Sequence, residues 1–130
     1  MKTSHILYIE DEPRNRLLVQ KILESYTYPI QVAIDGLSGL MMIRQHQPAL
    51  VLLDINLPKL TGWEVLDQVK DNPKLHHIPI VALTAAAMEG DRERLLAAGC
   101  DDYLAKPFRV DELVAIVKQY YPVKKQISML

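Results

Sequence analysis

The side chains that could do chemistry stand where apolar runs end. Glu10 and Asp11 close the run Ile6 to Ile9, and Asp54 closes Ala49 to Leu53 in the stretch ALVLLD. Thr84 follows Ile78 to Leu83, and Lys106, before Pro107, follows a shorter run around Tyr103 to Ala105. An ionised carboxylate is costly to bury unless it is paired or bound to a cation, so Asp54 needs a partner where its strand emerges. Two carboxylates about 4 Å apart repel by roughly 4 kcal/mol at an effective dielectric of about 20. Glu10, Asp11 and Asp54 held together would therefore demand a cation or a raised pKa. Oxygen-only ligands favour a hard ion such as Mg²⁺. Lys106 adds a further positive charge and Thr84 a hydroxyl donor. A divalent ion, an ammonium and a hydroxyl around one carboxylate suit phosphoryl transfer, because charge on the transferring oxygens is neutralised from several sides. Asp54 would then be the nucleophile and would form an acyl phosphate.

These residues can meet only if the runs are strands of one sheet. Segments with helical spacing lie between the runs. Leu18, Val19, Ile22 and Leu23 mark one face of the first, and Leu37, Leu40 and Met41 one face of the second. Val65, Leu66 and Val69 mark the third, and Leu113, Ile116, Val117 and Tyr120 the last. Met88 to Ala98 is helical by composition with a weak apolar stripe, and Gly99 is a natural C-cap. Strands alternating with helices of this length give a parallel sheet with helices on both faces. The unbroken run ALVLLD suits an inner strand, and Pro79 stands at a strand start, where a missing N–H is tolerated. In such a sheet ligands bind outside the carboxyl ends of the strands, which is where these polar residues fall. Asp35-Gly36, after a further apolar run from Ile30 to Ile34, reads as a turn and helix start.

The rest of the sequence narrows the setting. A chain of 130 residues is one domain with one well-filled core. A net charge of -1 gives no general attraction to nucleic acid or an anionic membrane. Cys100, the one cysteine, cannot form an internal disulfide, which favours a reducing, cytoplasmic setting. No apolar run approaches the roughly 20 residues that span a bilayer, and the start of the chain does not read as a signal peptide.

Together the motifs resemble the receiver domain of two-component response regulators, from about His5 to Tyr121. The matching pieces are the acidic pair in LYIEDEP, the strand and loop LLDINLPKLTGWE, the strand end ALTA, and GCDDYLAKPF before the last helix. Each is weak alone; in order, each at a strand end, they are specific. The resemblance implies a doubly wound, flavodoxin-like α/β fold with a five-stranded parallel sheet of order 2-1-3-4-5 and five helices. It implies that Asp54 accepts a phosphoryl group from a phosphohistidine on a sensor histidine kinase or a histidine phosphotransfer protein. Asp11 and Asp54 would bind Mg²⁺, with Glu10 acting through water and the Asn56 main-chain carbonyl completing the protein ligands. Lys106 would pair with the phosphoryl oxygens, Thr84 would shift to hydrogen-bond one of them, and Tyr103 would turn inward as the switch aromatic. Lys106-Pro107 would be a cis peptide. The face built from the fourth helix, fifth strand and fifth helix would carry the signal to a downstream protein. Asn56 and Ala86 flank the acceptor at positions that tune the lifetime of the acyl phosphate. The expected domain is 1–122, followed by a loosely held tail 123–130 with a solvated Lys124-Lys125 pair. The expected protein is a phosphorelay switch, not an enzyme acting on another substrate. It would be a monomer or a phosphorylation-linked homodimer, with no direct nucleic-acid or membrane partner.

Other readings fit less well. A receiver-fold interaction module independent of phosphorylation predicts damage to the acidic cluster or the lysine, and all are intact. A nucleotide- or flavin-binding enzyme predicts a glycine- or hydroxyl-rich loop after the first strand, where this chain has Glu10-Asp11-Glu12-Pro13. Glu12 reads as an acidic helix start. His76-His77 lack a third ligand at metal spacing and read as surface loop, and His5 and His46 match no ligand pattern. Trp63, Tyr120 and Tyr121 read as packing residues, and Cys100 as a small turn residue.

Overall fold

The computed structural model describes residues 5–85 and 91–121. Strand and helix alternate as the apolar pattern requires: β1 (Ile6–Ile9), α1 (Pro13–Ser25), β2 (Ile30–Ala33), α2 (Gly36–His46), β3 (Leu50–Asp54), α3 (Gly62–Lys70), β4 (Ile80–Thr84), α4 (Asp91–Ala97), β5 (Asp102–Ala105) and α5 (Val110–Tyr120). The strands form one parallel sheet in the order β2-β1-β3-β4-β5.

Successive strand side chains point to opposite faces, so each strand contributes to two cores. Leu7, Ile9, Val51, Leu53, Ile80 and Ala82 pack against α2, α3 and α4. Ile6, Tyr8, Leu50, Leu52, Val81 and Leu83 pack against α1 and α5 through Val19, Leu23, Leu113 and Val117. Parallel strands covered on both sides lose the alternation of polar and apolar residues, which is why β3 and β4 are wholly buried.

The helices begin where side chains can satisfy the free N–H groups of a first turn. Glu12 caps α1 by accepting from the Arg14 N–H at 2.6 Å, and Pro13 occupies the first turn. Asp35 caps α2 by accepting from the Ser38 N–H at 2.8 Å. Thr61 and Glu64 cap α3 reciprocally: the Glu64 N–H donates to Thr61 Oγ1 at 3.2 Å and the Thr61 N–H to Glu64 Oε1 at 2.8 Å.

Two helix faces depart from the spacing argument. Leu37 and Met41 are exposed, and the inner face of α2 is Gly36, Gly39, Leu40 and Ile43. The helix lies so close to β1 that a Cβ on Gly39 would come within 2.5 Å of Ile9 Cδ1, so glycine takes the place of a larger apolar residue. On α1, Leu18 is likewise exposed, while Val19 and Leu23 are buried. The helix expected over Met88 to Ala98 is observed as Asp91–Ala97, with Met88 outside the described residues. It buries only Leu95, and Gly99 ends it with φ +112°. Cys100 is a core residue, and burial, then the Asp101 charge, pushes its thiol up to about 12. Among the described residues no helix is long and apolar enough to cross a membrane.

Candidate functional site

The register pairs Ile9 with Leu53, so Glu10 and Asp54 are the next residues on adjacent strands. Glu10 follows Tyr8 by two residues and Asp54 follows Leu52 by two, which aims both carboxylates toward the α1/α5 side. Both are buried, at 1% and 4% exposed, while Asp11 is exposed beside them. Oxygens of Glu10, Asp11 and Asp54 all lie within 4.8 Å of one another. Lys106, just past the end of β5, places Nζ 2.9 Å from Glu10 Oε1 and 3.7 Å from Asp54 Oδ2.

Main-chain and core groups hold the acids in place. Asp54 Oδ1 accepts from the Asn56 N–H at 3.0 Å. Glu10 Oε2 accepts from the Glu12 N–H at 3.2 Å, and Glu10 Oε1 from the Tyr8 hydroxyl at 2.9 Å. Arg16 Nη1 donates to the Glu10 main-chain carbonyl at 3.0 Å. The loop after Asp54 is pinned from below by the start of α3. There the Gly62 N–H donates to the Ile55 carbonyl at 3.1 Å, and a Cβ on Gly62 would come within 2.6 Å of the Asp54 carbonyl oxygen. Only glycine fits that approach.

The two buried acids titrate in opposite directions. Burial raises the pKa of Asp54 to about 6; the Asn56 N–H works against this, and the Glu10 charge adds to it. Burial also works to raise Glu10, but the Lys106 ammonium, the Tyr8 hydroxyl and the Glu12 N–H outweigh it, and its pKa is lowered. Burial and the Glu10 charge hold the Tyr8 phenol protonated well above its usual range. Lys106 thus belongs first to Glu10, and Asp54 is the acid with too little positive charge. The oxygen-only donor set, with the pKa of one member raised chiefly by burial, fits a hard divalent cation, which would favour the ionised form of Asp54.

Thr84 ends β4 in a buried position, and its carbonyl accepts from the Lys106 N–H at 2.8 Å. Tyr103, paired in register with Ala82, is half-buried against the α2–α4 side of the core. The Lys106-Pro107 peptide is cis. A groove of about 440 Å³ opens beside Lys106, lined by Asn15, Leu18, Val19, Ala85, Pro107 and Phe108, which accounts for the exposure of Leu18. Asn56 is exposed next to Asp54; Ala86 lies outside the described residues.

The structure therefore brings together Glu10, Asp11, Asp54 and Lys106 as the sequence implies, with Thr84 at the adjacent strand end. Sequence reasoning missed Tyr8 and Arg16. A phenol inside a strand otherwise built of aliphatic residues was the available signal, because a buried tyrosine hydroxyl requires a partner. Elsewhere, His76 and His77 are exposed in the loop before β4, and the rings of His5 and His46 meet edge-on at 6.3 Å. Trp63 packs on the core with the Arg94 guanidinium 5.0 Å from its ring centre. The Tyr120 hydroxyl bonds Asp102 Oδ2 at 3.0 Å, and Tyr121 meets Tyr28 edge-on at 5.4 Å.

Comparison with known proteins agrees with this geometry. Residues 6–118 match the family model of the response regulator receiver domain. The polar-differentiation response regulator DivK of Brucella ovis is 38% identical over 118 residues, covering 91% of this chain and 96% of that protein. The receiver domain of the sensor histidine kinase PA1611 from Pseudomonas aeruginosa, solved with a magnesium ion coordinated in its active-site cleft, superposes with a TM-score of 0.83. It is 35% identical over 91% of this chain and 97% of that one. The receiver domain of Francisella response regulator 1452 superposes with a TM-score of 0.85 at 26% identity, covering 92% and 97%. With the five-stranded order, the acidic cluster and this match over most of its length, the chain belongs to the response regulator receiver-domain family.

Proposed function

We propose that this protein is a phosphorelay switch in which Asp54 accepts a phosphoryl group from a phosphohistidine. An Asp54 carboxylate oxygen attacks phosphorus in line, the phosphorus–nitrogen bond breaks, and the bonding pair leaves with the histidine nitrogen. The product is an aspartyl phosphate, and water later cleaves it to regenerate the carboxylate and inorganic phosphate. The observation that carries this reading is Asp54 itself, a buried acid raised toward neutrality and only 3.7 Å from an ammonium held by its neighbour.

Each nearby residue has a part. Asp11 and Asp54, with Glu10 through water and the Asn56 main-chain carbonyl, would hold Mg²⁺. The bound ion supplies positive charge to the phosphoryl oxygens. Lys106 moves from Glu10 toward those oxygens, and Thr84 donates a hydrogen bond to one of them. Tyr103 turns inward as Thr84 shifts, and the α4–β5–α5 face then presents a changed surface to a downstream protein. Moving such a switch from 1:99 to 99:1 takes about 5.5 kcal/mol of differential stabilisation. A dianionic group meeting Lys106 and Thr84 supplies part of that. The phosphodonor is a sensor histidine kinase or a histidine phosphotransfer protein, and the switching domain occupies residues 1–122. The work is signalling, and the side chains assist only the protein's own phosphorylation and hydrolysis.

Intact mass after incubation with Mg²⁺ and acetyl phosphate tests the reading. The expected result is one added phosphoryl group, absent in Asp54→Asn and in a metal-free control. Modification that survives Asp54→Asn would move the acceptor elsewhere. Neither modification nor Mg²⁺ binding by the folded chain would sink the switch.

A further inference from the structure

Tyr8 is wholly buried on β1, on the α1/α5 side of the sheet, among aliphatic side chains. A phenylalanine would fill the same space without a hydroxyl to desolvate. That hydroxyl donates to Glu10 Oε1 at 2.9 Å, the same oxygen that accepts from Lys106 Nζ at 2.9 Å. Glu10 Oε2 accepts from the Glu12 main chain. The carboxylate therefore has two fixed donors, a phenol locked in the core and an N–H at a helix cap, and one movable donor on a flexible stem. Lys106 is also 3.7 Å from Asp54, so a short swing transfers it. A buried carboxylate that loses its cation is strongly destabilising unless other donors hold it. This sets a condition on any movement of Lys106.

We propose that Tyr8 is a positioning residue whose buried hydroxyl anchors the Glu10 carboxylate while Lys106 passes from Glu10 to Asp54. The proposal rests on Asp54 being the phosphoryl acceptor. It extends that reading by assigning a role to a strand residue that touches neither the acceptor nor a transferred group. Tyr8 acts through Glu10 alone.

A double-substitution cycle tests this without any phosphorylation. Urea unfolding of the metal-free chain is measured for the parent, Tyr8→Phe, Lys106→Met and the pair together, then for the same four in a Glu10→Gln background. If the hydroxyl holds Glu10 once the ammonium is gone, losing both costs more than the sum of losing each. The expected excess is a fall of about 0.5–1 M in urea midpoint beyond additivity, and it vanishes in the Glu10→Gln background. Additive losses in the parent background, or an equal excess with Glu10→Gln in place, overturn the proposal. Should the Tyr8→Phe/Lys106→Met chain fail to fold, recovery on adding Glu10→Gln supports the proposal, and continued unfolding overturns it.

A kinetic arm addresses the transfer. Tyr8→Phe should lower the initial rate of phosphorylation by acetyl phosphate, at saturating Mg²⁺, about tenfold. It should slow a Glu10→Gln chain no further. An unchanged rate in Tyr8→Phe, or the same tenfold loss in both backgrounds, overturns the proposal. A parent chain that neither gains a phosphoryl group nor binds Mg²⁺ refutes the acceptor reading instead, and the unfolding cycle still decides whether Tyr8 anchors Glu10.

Discussion

Two lysines beside carboxylates stand at opposite ends of the sheet, and they are held in different ways. Where β4 and β5 begin, Lys70 Nζ donates to the main-chain carbonyls of His76 at 3.0 Å and Ile78 at 2.9 Å. Its nearby acid, Asp101, is 3.7 Å away, and Asp101 Oδ2 accepts the Ile80 N–H at 2.8 Å. Where β1, β3 and β5 end, Lys106 is divided between Glu10 and Asp54, with Asp11 alongside. A cation bonded to two main-chain carbonyls leaves both without that donor if it departs. A cation shared between two side-chain acids can be exchanged. The same pair of residue types therefore braces main chain at one edge and places a charge between two acids at the other.

Breaking the pair of clusters one at a time should separate these roles. The largest expected effect is on Lys106→Met, which leaves buried Glu10 and Asp54 without their ammonium. Metal-free stability should fall by about 3 kcal/mol, the lower end of the cost of breaking a buried ion pair, because Tyr8 and the Glu12 N–H still hold Glu10. Adding Mg²⁺ during chemical unfolding should recover part of this loss. An unchanged unfolding midpoint would show that the site does not depend on the lysine.

The next effect is on pH. The folded pKa of Asp54, about 6, lies above the ordinary 3.8, so the native state binds its proton more tightly than the unfolded chain does. Stability from this group is present below the ordinary value and lost as pH rises through about 6. Between about pH 4.5 and 7 the loss should be about 2 kcal/mol in the metal-free chain. The Glu10 contribution has the opposite sign: its folded pKa is lowered, so its stability is lost on acidification below the ordinary glutamate value. Unfolding measured across this range in the parent and in Asp54→Asn isolates the Asp54 contribution, since the substitution should flatten the fall. An equal slope in both would remove Asp54 as its source.

The smallest effect sharpens the contrast. Lys70→Met removes two hydrogen bonds to main-chain carbonyls and should cost about 1–2 kcal/mol. Mg²⁺ should stabilise this variant by the same increment as the parent, and the rate of Asp54 phosphorylation should stay unchanged. A Lys70→Met chain that binds Mg²⁺ poorly would tie the two edges together and undo the distinction.

Much of this was legible in the residues because the signals are local. A wholly apolar run marks a strand covered on both faces, as Leu50 to Leu53 shows, and acids directly after two such runs must meet if the strands are neighbours. Glu12 and Asp35 announced helix starts for the same reason. What stayed hidden depended on distances between elements. Leu37 and Met41 share a helical stripe with Leu40, but α2 presses on Ile9 so closely that Gly39 belongs at the centre of the inner face. The spacing that relates Leu37 to Leu40 carries no information about that approach. Tyr8 was hidden similarly, since apolar patterning counts its ring and ignores its oxygen. Only the meeting of Glu10 with Lys106, 96 residues apart in sequence, gives that oxygen a role.

The burial of Cys100 has a practical side. It is the one cysteine in the chain, it is part of the core, and its thiol is pushed up to about 12. Thiol reagents act on the thiolate, so the folded protein presents almost no native reactivity near neutral pH. A cysteine introduced on the exposed surface of α4 or α5 would therefore be the single site for a fluorophore or spin label. Motions of the face proposed to meet a downstream protein could then be followed in a chain that needs no prior removal of its own cysteine.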